Sequence, residues 1–135
     1  MAKVGYAADM LCMLFGNIKI QKNVIGDWQT VGEYALHVQC VWRFSKNEQI
    51  ILTYWDLYNA SLDDDNTMSD SIFEALNVSM PLEVTDVALD YIGTLKIKLN
   101  NDIIFEAFPD RCGEIEHWRF INNETHEHIV FFDEK

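Results

Sequence analysis

Three histidines late in the sequence lie beside a cysteine and a glutamate that could join them in binding a metal. His126 and His128 are two positions apart and would share one face of a strand, while His117 follows Cys112 and Glu116 closely. Zinc requires three or four such ligands converging at about 2.0–2.3 Å. Because no Cys-x-x-Cys or His-Glu-x-x-His spacing is present, the pattern does not predict a zinc site.

An acidic stretch matches part of the calcium-loop template. Asp63, Asp65 and Glu74 fall at positions 1, 3 and 12 of that template, where carboxylates coordinate Ca²⁺. Met68 occupies the position that requires glycine, and the preceding residues are typical of a strand instead of a helix. We therefore interpret this stretch as an acidic linker ahead of a capped helix, and we predict no metal or cofactor.

No pattern in the sequence predicts covalent catalysis or phosphate binding. The six glycines are scattered, without the Gly-x-Gly-x-x-Gly or Gly-x-Ser-x-Gly spacing of phosphate loops and nucleophile elbows. The 22 acidic residues leave open a carboxylate pair that forms only in three dimensions. The motifs favour a protein that is not an enzyme.

The charge balance is strongly acidic. Ten Lys and Arg face 22 Asp and Glu, which gives a formal net charge of −12. Phosphate backbones and anionic lipid surfaces would repel such a chain, so nucleic acid and membranes are not expected partners. The charge favours a basic protein partner or a cation, and simple solubility is the alternative interpretation.

Three further features favour a soluble cytoplasmic protein. Asp9 interrupts the N-terminal apolar region before it reaches the length of a signal core. No uncharged apolar run approaches the roughly 20 residues that a membrane-spanning helix requires. The odd set of Cys12, Cys40 and Cys112 is typical of reduced thiols.

The stretch 34–44 alternates apolar and polar residues without a break and predicts one long strand, paired with a second strand over 50–55. Gly16-Asn17 predicts a hairpin turn between strands at 10–15 and 18–21, and 23–29 predicts a loop. Further strands are predicted at 84–92, 95–99, 103–108, 116–121 and 129–132. Ser71 and Glu74 form a capping-box pattern, so a short helix is expected near 71–77.

Trp42-Arg43-Phe44 returns as Trp118-Arg119-Phe120, each time before a polar turn and an aliphatic run. We therefore expect a single domain over 1–135 with an internal pseudo-repeat at about 4–60 and 84–135, in which Leu11 corresponds to Leu95. The predicted fold class is mainly β (α+β). Each half would form an antiparallel sheet, and the two related units would pack as a sandwich or a strongly bent sheet. Both tryptophans should lie in the core, and both arginines should pair with carboxylates on the opposite face.

The run from Leu36 to Arg43, together with Phe108-Pro109-Asp110 and Glu116-His117-Trp118-Arg119, resembles a group of small uncharacterised bacterial proteins. That group shares L-H-x-x-C-x-W-R and E-H-W-R stretches, and the resemblance covers most of the chain. The resemblance carries no activity with it. In size and charge the chain is also similar to the immunity proteins that neutralise bacterial toxins.

The first functional hypothesis is a non-enzymatic binding protein of immunity or inhibitor type that covers a basic protein such as a nuclease toxin. Two carboxylate clusters are the predicted partner-binding residues: Asp63, Asp64 and Asp65, then Glu114, Glu116 and Glu127. The second hypothesis is a small-ligand binding protein or enzyme with a cavity between the sheets, rimmed by His37, Arg43, His117 and Arg119. A structural subunit that forms a homodimer is the third.

Overall fold

The computed structural model describes residues 1–7, 10–62, 73–74, 76, 78–113 and 115–132. Within these ranges the chain forms ten strands and one helix of more than one turn. In chain order they are β1 (Lys3–Ala7), β2 (Met10–Lys22), β3 (Trp28–Val38), β4 (Val41–Lys46), β5 (Gln49–Thr53), α1 (Tyr54–Leu62), β6 (Val84–Leu89), β7 (Leu95–Leu99), β8 (Ile103–Phe108), β9 (Glu116–Asn122) and β10 (Glu127–Phe132).

The strands form two antiparallel sheets of five, which confirms the predicted mainly β sandwich. Sheet A has the order β1-β2-β3-β9-β10, and sheet B has the order β5-β4-β8-β7-β6. Apolar side chains from both sheets meet in one core, whose largest fully buried members include Trp42, Phe44, Phe105, Leu11 and Met13. Trp118 is also buried, as predicted for both tryptophans. No described helix is long and apolar enough to cross a membrane.

Each sheet takes three strands from one half of the chain and two from the other. Sheet A joins β9 and β10 to β1, β2 and β3, whereas sheet B joins β4 and β5 to β6, β7 and β8. The expectation that each half forms its own sheet is therefore wrong. The chain crosses to the opposite sheet after β3 and again after β8, so exchanging the two halves converts one strand order into the other. The repeat itself stays a prediction.

The long strand predicted over 34–44 is two strands in different sheets. β3 ends at Val38 and β4 begins at Val41, and the backbone N–H groups of Gln39 and Cys40 both donate to the carbonyl of His117. The same set of alternate residues is buried on both sides of this corner, so the alternation continues through it: Leu36, Val38, Cys40, Trp42 and Phe44. A change of sheet that keeps the same residues inward leaves no mark on the hydrophobic pattern.

Gly16-Asn17 is a β-bulge instead of the predicted hairpin turn. β2 continues through it and pairs with β3 from Leu11 opposite Val38 to Lys22 opposite Trp28, with a register shift between Phe15 and Ile18. Gly16 has a φ of +75°, which suits a bulge as well as a turn. The hairpin therefore closes at residues 23–27. Beyond the bulge it forms an arm, residues 17–31, on which Ile18, Ile20 and Trp28 are exposed.

The helix α1 begins where the sequence predicted the end of a strand. The Asp56 carboxylate accepts from the Thr53 backbone N–H at 2.8 Å, and the Asp56 N–H donates to the Thr53 hydroxyl at 3.4 Å. This reciprocal pair is a capping box that starts the helix at Tyr54. Of the helix predicted near 71–77, Phe73, Glu74 and Leu76 are helical. Its other residues, including Ser71, lie outside the described part of the chain.

Candidate functional site

An apolar cavity of about 440 Å³ opens on one side of the sandwich, between an edge of sheet A and an edge of sheet B. The edge strands at this opening are β10 and β6. Every described residue that lines the cavity is apolar: Phe15, Leu36, Trp118, Phe120 and Ile129 from sheet A, and Val84, Val87, Leu89, Leu95 and Ile97 from sheet B. We call this region the open side.

The two sheets have the same strand order when the halves of the chain are exchanged, so a position on one edge strand has an equivalent on the matching edge strand of the other sheet. One row of inward residues crosses sheet A as Val4, Met13, Leu36, Phe120 and Ile129. The matching row crosses sheet B as Val87, Ile97, Phe105, Phe44 and Leu52. Val4 on β1 is thus equivalent to Val87 on β6, and Leu52 on β5 to Ile129 on β10.

The equivalent residues differ sharply in exposure. Val4 is 1% exposed and Leu52 is 6% exposed, whereas Val87 is 56% and Ile129 is 64% exposed. Residue size does not explain this difference, since each pair consists of similar aliphatic side chains. One side of the sandwich, between β1 and β5, is sealed, and we call it the closed side. The open side is its unsealed counterpart.

The chain seals the closed side with the segment that joins its two halves. Helix α1 follows β5 directly and packs against β4 and β5, and it places Leu57 in the core. Phe73 and Leu76 add further buried side chains. Leu82 then exchanges backbone hydrogen bonds with Met1, just before β1. The segment therefore reaches from the edge of sheet B to the edge of sheet A.

The floor of the open side is held in a fixed arrangement around Trp118. Its indole Nε1–H donates to the carbonyl of Gly93 at 3.0 Å, and its ring stacks on Phe131 with centroids 5.7 Å apart. Gly93 has a φ of +81°, and a Cβ at this position would overlap the Phe131 ring. The buried indole N–H has a partner, so the floor presents carbon surface and no unpaired polar group.

A carboxylate borders the open side, and the lysines of β7 point away from it. Glu127 alternates with Ile129 along β10 and shares its face. Asp90 follows Leu89 at the end of β6, and its carboxylate accepts from the backbone N–H groups of Ile92 and Thr94 in the adjoining turn. Hydrogen bonds from backbone N–H groups, led by that of Thr94, lower the pKa of Asp90. Asp90 therefore stays charged at neutral pH. Lys96 and Lys98 occupy the outer face, because Leu95, Ile97 and Leu99 face the core.

The four residues predicted to rim a ligand cavity do not line this one. Arg43 lies on the outer face of sheet B, where its Nε is 3.1 Å from Glu106. Arg119 and His37 face each other on the outer side of sheet A, and Arg119 is 2.5 Å from Glu116 and 3.0 Å from Nδ1 of His128. Both arginines pair with carboxylates, as predicted.

His117, the fourth of these residues, is buried at the start of β9. Among the described residues, neither ring nitrogen of His117 has a hydrogen-bond partner. Its ring lies 6.1 Å from that of Phe131. The sequence placed these four residues around one cavity, but they occupy two outer faces and a core position. A strand pattern gives the face of a side chain, whereas the identity of the neighbouring strand decides what it meets.

The predicted acidic clusters are only partly described. Asp63, Asp64, Asp65 and Glu114 lie outside the described residues. Glu116 pairs with Arg119 and accepts from the Gln39 side chain, so its charge is already compensated. Glu116 and Glu127 lie at opposite ends of the β9–β10 hairpin, about 20 Å apart at 3.3 Å per residue. The two therefore do not form one cluster, and Glu127 belongs to the open side.

The cysteines and histidines do not assemble into a recognisable reactive centre in the described part of the chain. Burial, with a smaller contribution from Asp110, raises the pKa of the Cys40 thiol to about 12, and burial also raises that of Cys12. Both thiols are therefore protonated at neutral pH and are poor nucleophiles. Among the described residues, no group of three His, Cys, Asp or Glu side chains could hold a metal ion.

Sequence reasoning missed the open side because it could assign these residues only to strands and to a face of each strand. Val87, Leu89 and Ile129 follow the same alternation as buried residues, and this alternation carries no information on cover. No protein-family model matches the chain, and no curated protein or solved structure matches it. The geometry of the open side is thus the basis for a functional proposal.

Proposed function

We propose that this protein is a non-enzymatic binding protein of immunity or inhibitor type, which covers a positively charged protein partner such as a nuclease toxin domain. The observation that supports the proposal is the open side. Val87 and Ile129 leave apolar surface exposed at positions whose equivalents, Val4 and Leu52, are buried. Exposed apolar patches with a polar rim are typical of protein interaction surfaces.

The charge of the protein supports a basic partner. The net charge of −12 attracts a cationic surface over a range of about 8 Å at physiological salt, which accelerates association. Glu127 places a carboxylate beside the apolar floor, on the same face of β10 as Ile129. The apolar floor would supply affinity, and the carboxylate would supply orientation and selectivity against acidic proteins.

The test uses the purified proteins that are encoded on either side of this protein's own gene. We expect one of them to bind in isothermal titration calorimetry, with an affinity that falls about tenfold or more between about 50 and about 300 mM NaCl. Ile129→Asp should weaken this binding about tenfold or more, since it removes apolar contact surface and forces a charged group to lose its water in the interface. Ile20→Asp on the arm is the matched control and should leave the affinity unchanged.

If neither neighbour binds, or if the two variants weaken binding equally, the proposal is wrong. If the affinity does not change across the salt range, the role of charge in binding is contradicted, while binding through the apolar floor is not.

Binding of a small apolar molecule is the second candidate function. The cavity of about 440 Å³ lies within the range of roughly 300–1,000 Å³ typical of ligand pockets, and the described residues of its lining include no charged or polar one. Such a site would hold an acyl chain or another hydrocarbon by burial alone.

Native mass spectrometry of the purified protein tests this second candidate. A bound mass that disappears in Leu89→Asp would support a small ligand. This candidate is wrong if the purified protein has its ligand-free mass and also does not change the fluorescence of a labelled fatty acid. Ile20→Asp again serves as the control, because it adds the same charge outside the cavity.

A further inference from the structure

We infer that the open side is a seat for a basic amphipathic helix supplied by the partner protein. This inference rests on the proposed function and specifies which part of the partner binds. The closed side provides the precedent within the same molecule. There, a segment that begins with helix α1 seals the two sheet edges and inserts Leu57 into the core. The open side has the equivalent apolar rows, and none of the described residues covers them.

The width of the opening favours a helix over a strand. Stacked sheets lie about 10 Å apart, so the edges β6 and β10 are separated by roughly this distance. A helix with its side chains is about 10–12 Å across and can contact both edges at once. A single added strand would pair with one edge, about 4.8 Å from it, and would leave the other edge uncovered.

Both edge strands also carry features that disfavour strand addition. β6 has a register shift between Val84 and Asp86, and β10 has one between Phe131 and Phe132. Such bulges interrupt the row of backbone groups that an incoming strand would need. Glu127 adds a charge on the inward face of β10, which is a further device against edge pairing. A helix satisfies its own backbone hydrogen bonds and is not affected by these features.

The lining and the rim specify the chemistry of the helix. Ten apolar residues line the cavity, so leucine or aromatic side chains at i, i+3, i+4 and i+7 would enter it. Glu127, on the inward face of β10, would meet lysine or arginine on the flank of the helix, and the net charge of −12 favours the same sign. No lysine or arginine belongs to the described lining, so an acidic helix would find no cation there.

Synthetic peptides that differ only in the order of their residues test the inference on the intact protein. Each peptide has about 14 residues, half leucine and half lysine, and carries a fluorescent label. One has leucines at helical spacing and the other alternates leucine with lysine at strand spacing. A third keeps the helical spacing with glutamate in place of lysine. Fluorescence anisotropy measures the affinity of each peptide.

We expect the basic helical peptide to bind at least about tenfold more tightly than the alternating peptide and the acidic one. Ile129→Asp and Leu89→Asp should each weaken its binding about tenfold or more, while Ile20→Asp should leave it unchanged. Glu127→Lys should weaken it by about threefold to tenfold, and Glu124→Lys in the neighbouring turn serves as the matched control.

The other outcomes separate this inference from the proposed function. If the alternating peptide binds more tightly, the inference of a bound helix is wrong, but the proposal of a basic partner stands. If the acidic and basic helical peptides bind equally, a bound helix is supported and the proposal of a basic partner is contradicted. If no peptide binds, or if Ile20→Asp weakens binding as much as Ile129→Asp, the open side is not the seat. A dimer in sedimentation that Ile129→Asp dissociates would show that a second copy covers the open side, which also overturns the inference.

Discussion

The closed side and the open side of this sandwich are built from equivalent rows of residues, but the edge residues are buried only at the closed side. Val4 and Val87 occupy matching positions on β1 and β6, as Leu52 and Ile129 do on β5 and β10. The side chains are alike and the sheets pair alike. Cover explains the difference, since α1, Phe73, Leu76 and Leu82 add their own residues to the closed side.

The comparison shows that an inward-facing position in a sandwich is not automatically a core position. At a sheet edge, burial requires a third element beyond the two sheets. Where this chain supplies such an element, the aromatic rings of Trp42, Phe44 and Phe105 pack with centroids 5.0–6.5 Å apart. Where none of the described residues supplies one, a cavity remains and apolar surface stays in water. We interpret that surface as the site of binding.

The largest expected effect comes from the aromatic pair Phe44 and Phe120, which are equivalent in the two rows. Phe44 is fully buried, so Phe44→Ala should lower the free energy of unfolding by about 3–5 kcal/mol through lost burial and the resulting void. Phe120 borders the existing cavity, and Phe120→Ala should cost no more than about half as much. Urea denaturation of both variants measures the difference. Equal losses would contradict the assignment of one sealed and one open side.

A second, smaller effect separates the edge residues Leu52 and Ile129. Leu52→Ala removes a buried side chain and should lower the free energy of unfolding by about 2–4 kcal/mol. Ile129→Ala trims a side chain that is mostly in water, so the free energy of unfolding should change by no more than about 0.5 kcal/mol. Thermal unfolding of the two variants side by side checks this. A large loss for Ile129→Ala would mean that something already covers the open side.

Gly93 tests whether the floor of the open side is rigid. Gly93→Ala places a methyl group against the Phe131 ring at a positive φ, and it should destabilise the fold by about 1–3 kcal/mol. Gly26 has a similar φ of +91° in open space, so Gly26→Ala should cost only about 1 kcal/mol. The difference between the two, read from urea denaturation, isolates the packing of Phe131 on Trp118. If both variants lower the free energy of unfolding by the same amount, the Phe131 ring can move aside and the floor is not rigid.

The smallest expected effect concerns the outer faces, where the equivalent arginines meet different partners. Arg43 faces Glu106, but Arg119 faces His37. Burial lowers the pKa of His37, Arg119 lowers it further, and Glu116 acts in the opposite direction. The unfolded chain therefore binds more protons than the folded protein below the ordinary histidine pKa of 6.5. This contribution to stability is complete above that pH and is lost as the pH falls through the folded pKa.

His37→Gln should therefore reduce the loss of stability on acidification. Urea denaturation at about pH 7.5 and at about pH 5 gives the free energy of unfolding for the parent and the variant. The variant should lose less of it than the parent between these two values. An equal or larger loss in the variant would show that His37 does not contribute to the acid sensitivity of sheet A.

The strand content could be read from the sequence, but the course of the chain between sheets could not. The strands β7, β8, β9 and β10 follow clear alternation and turn residues, and they lie where the pattern predicted them. The corner at Gln39 and Cys40 has no such signal, because the same residues stay inward on both sides of it. Gly16 is equally compatible with a turn and a bulge, and pairing with β3 selects the bulge.

At helix α1 the sequence did carry a local signal for a helix, but residues that favour a strand led to the wrong prediction. Thr53 and Asp56 have the spacing of a capping box, but Tyr54 and Trp55 are residues that favour strands. The position of Leu57 in the core shows what resolved the conflict. A helix there covers the apolar edge of sheet B at β4 and β5, and this gain in burial exceeds the weak local preference for a strand.

The amino-acid sequence by itself determined the alternation of side chains, the paired Trp-Arg-Phe strands, the acidic charge and the burial of both tryptophans. These properties depend on the period of a strand and on the solvation of charges, which act over a few neighbouring residues. Tertiary structure alone decided which strands share a sheet, which residues meet Arg43 and Arg119, and which side of the sandwich is covered. Those outcomes depend on contacts between residues far apart in the chain, and the hydrophobic pattern of a strand is the same whether or not another element lies over it.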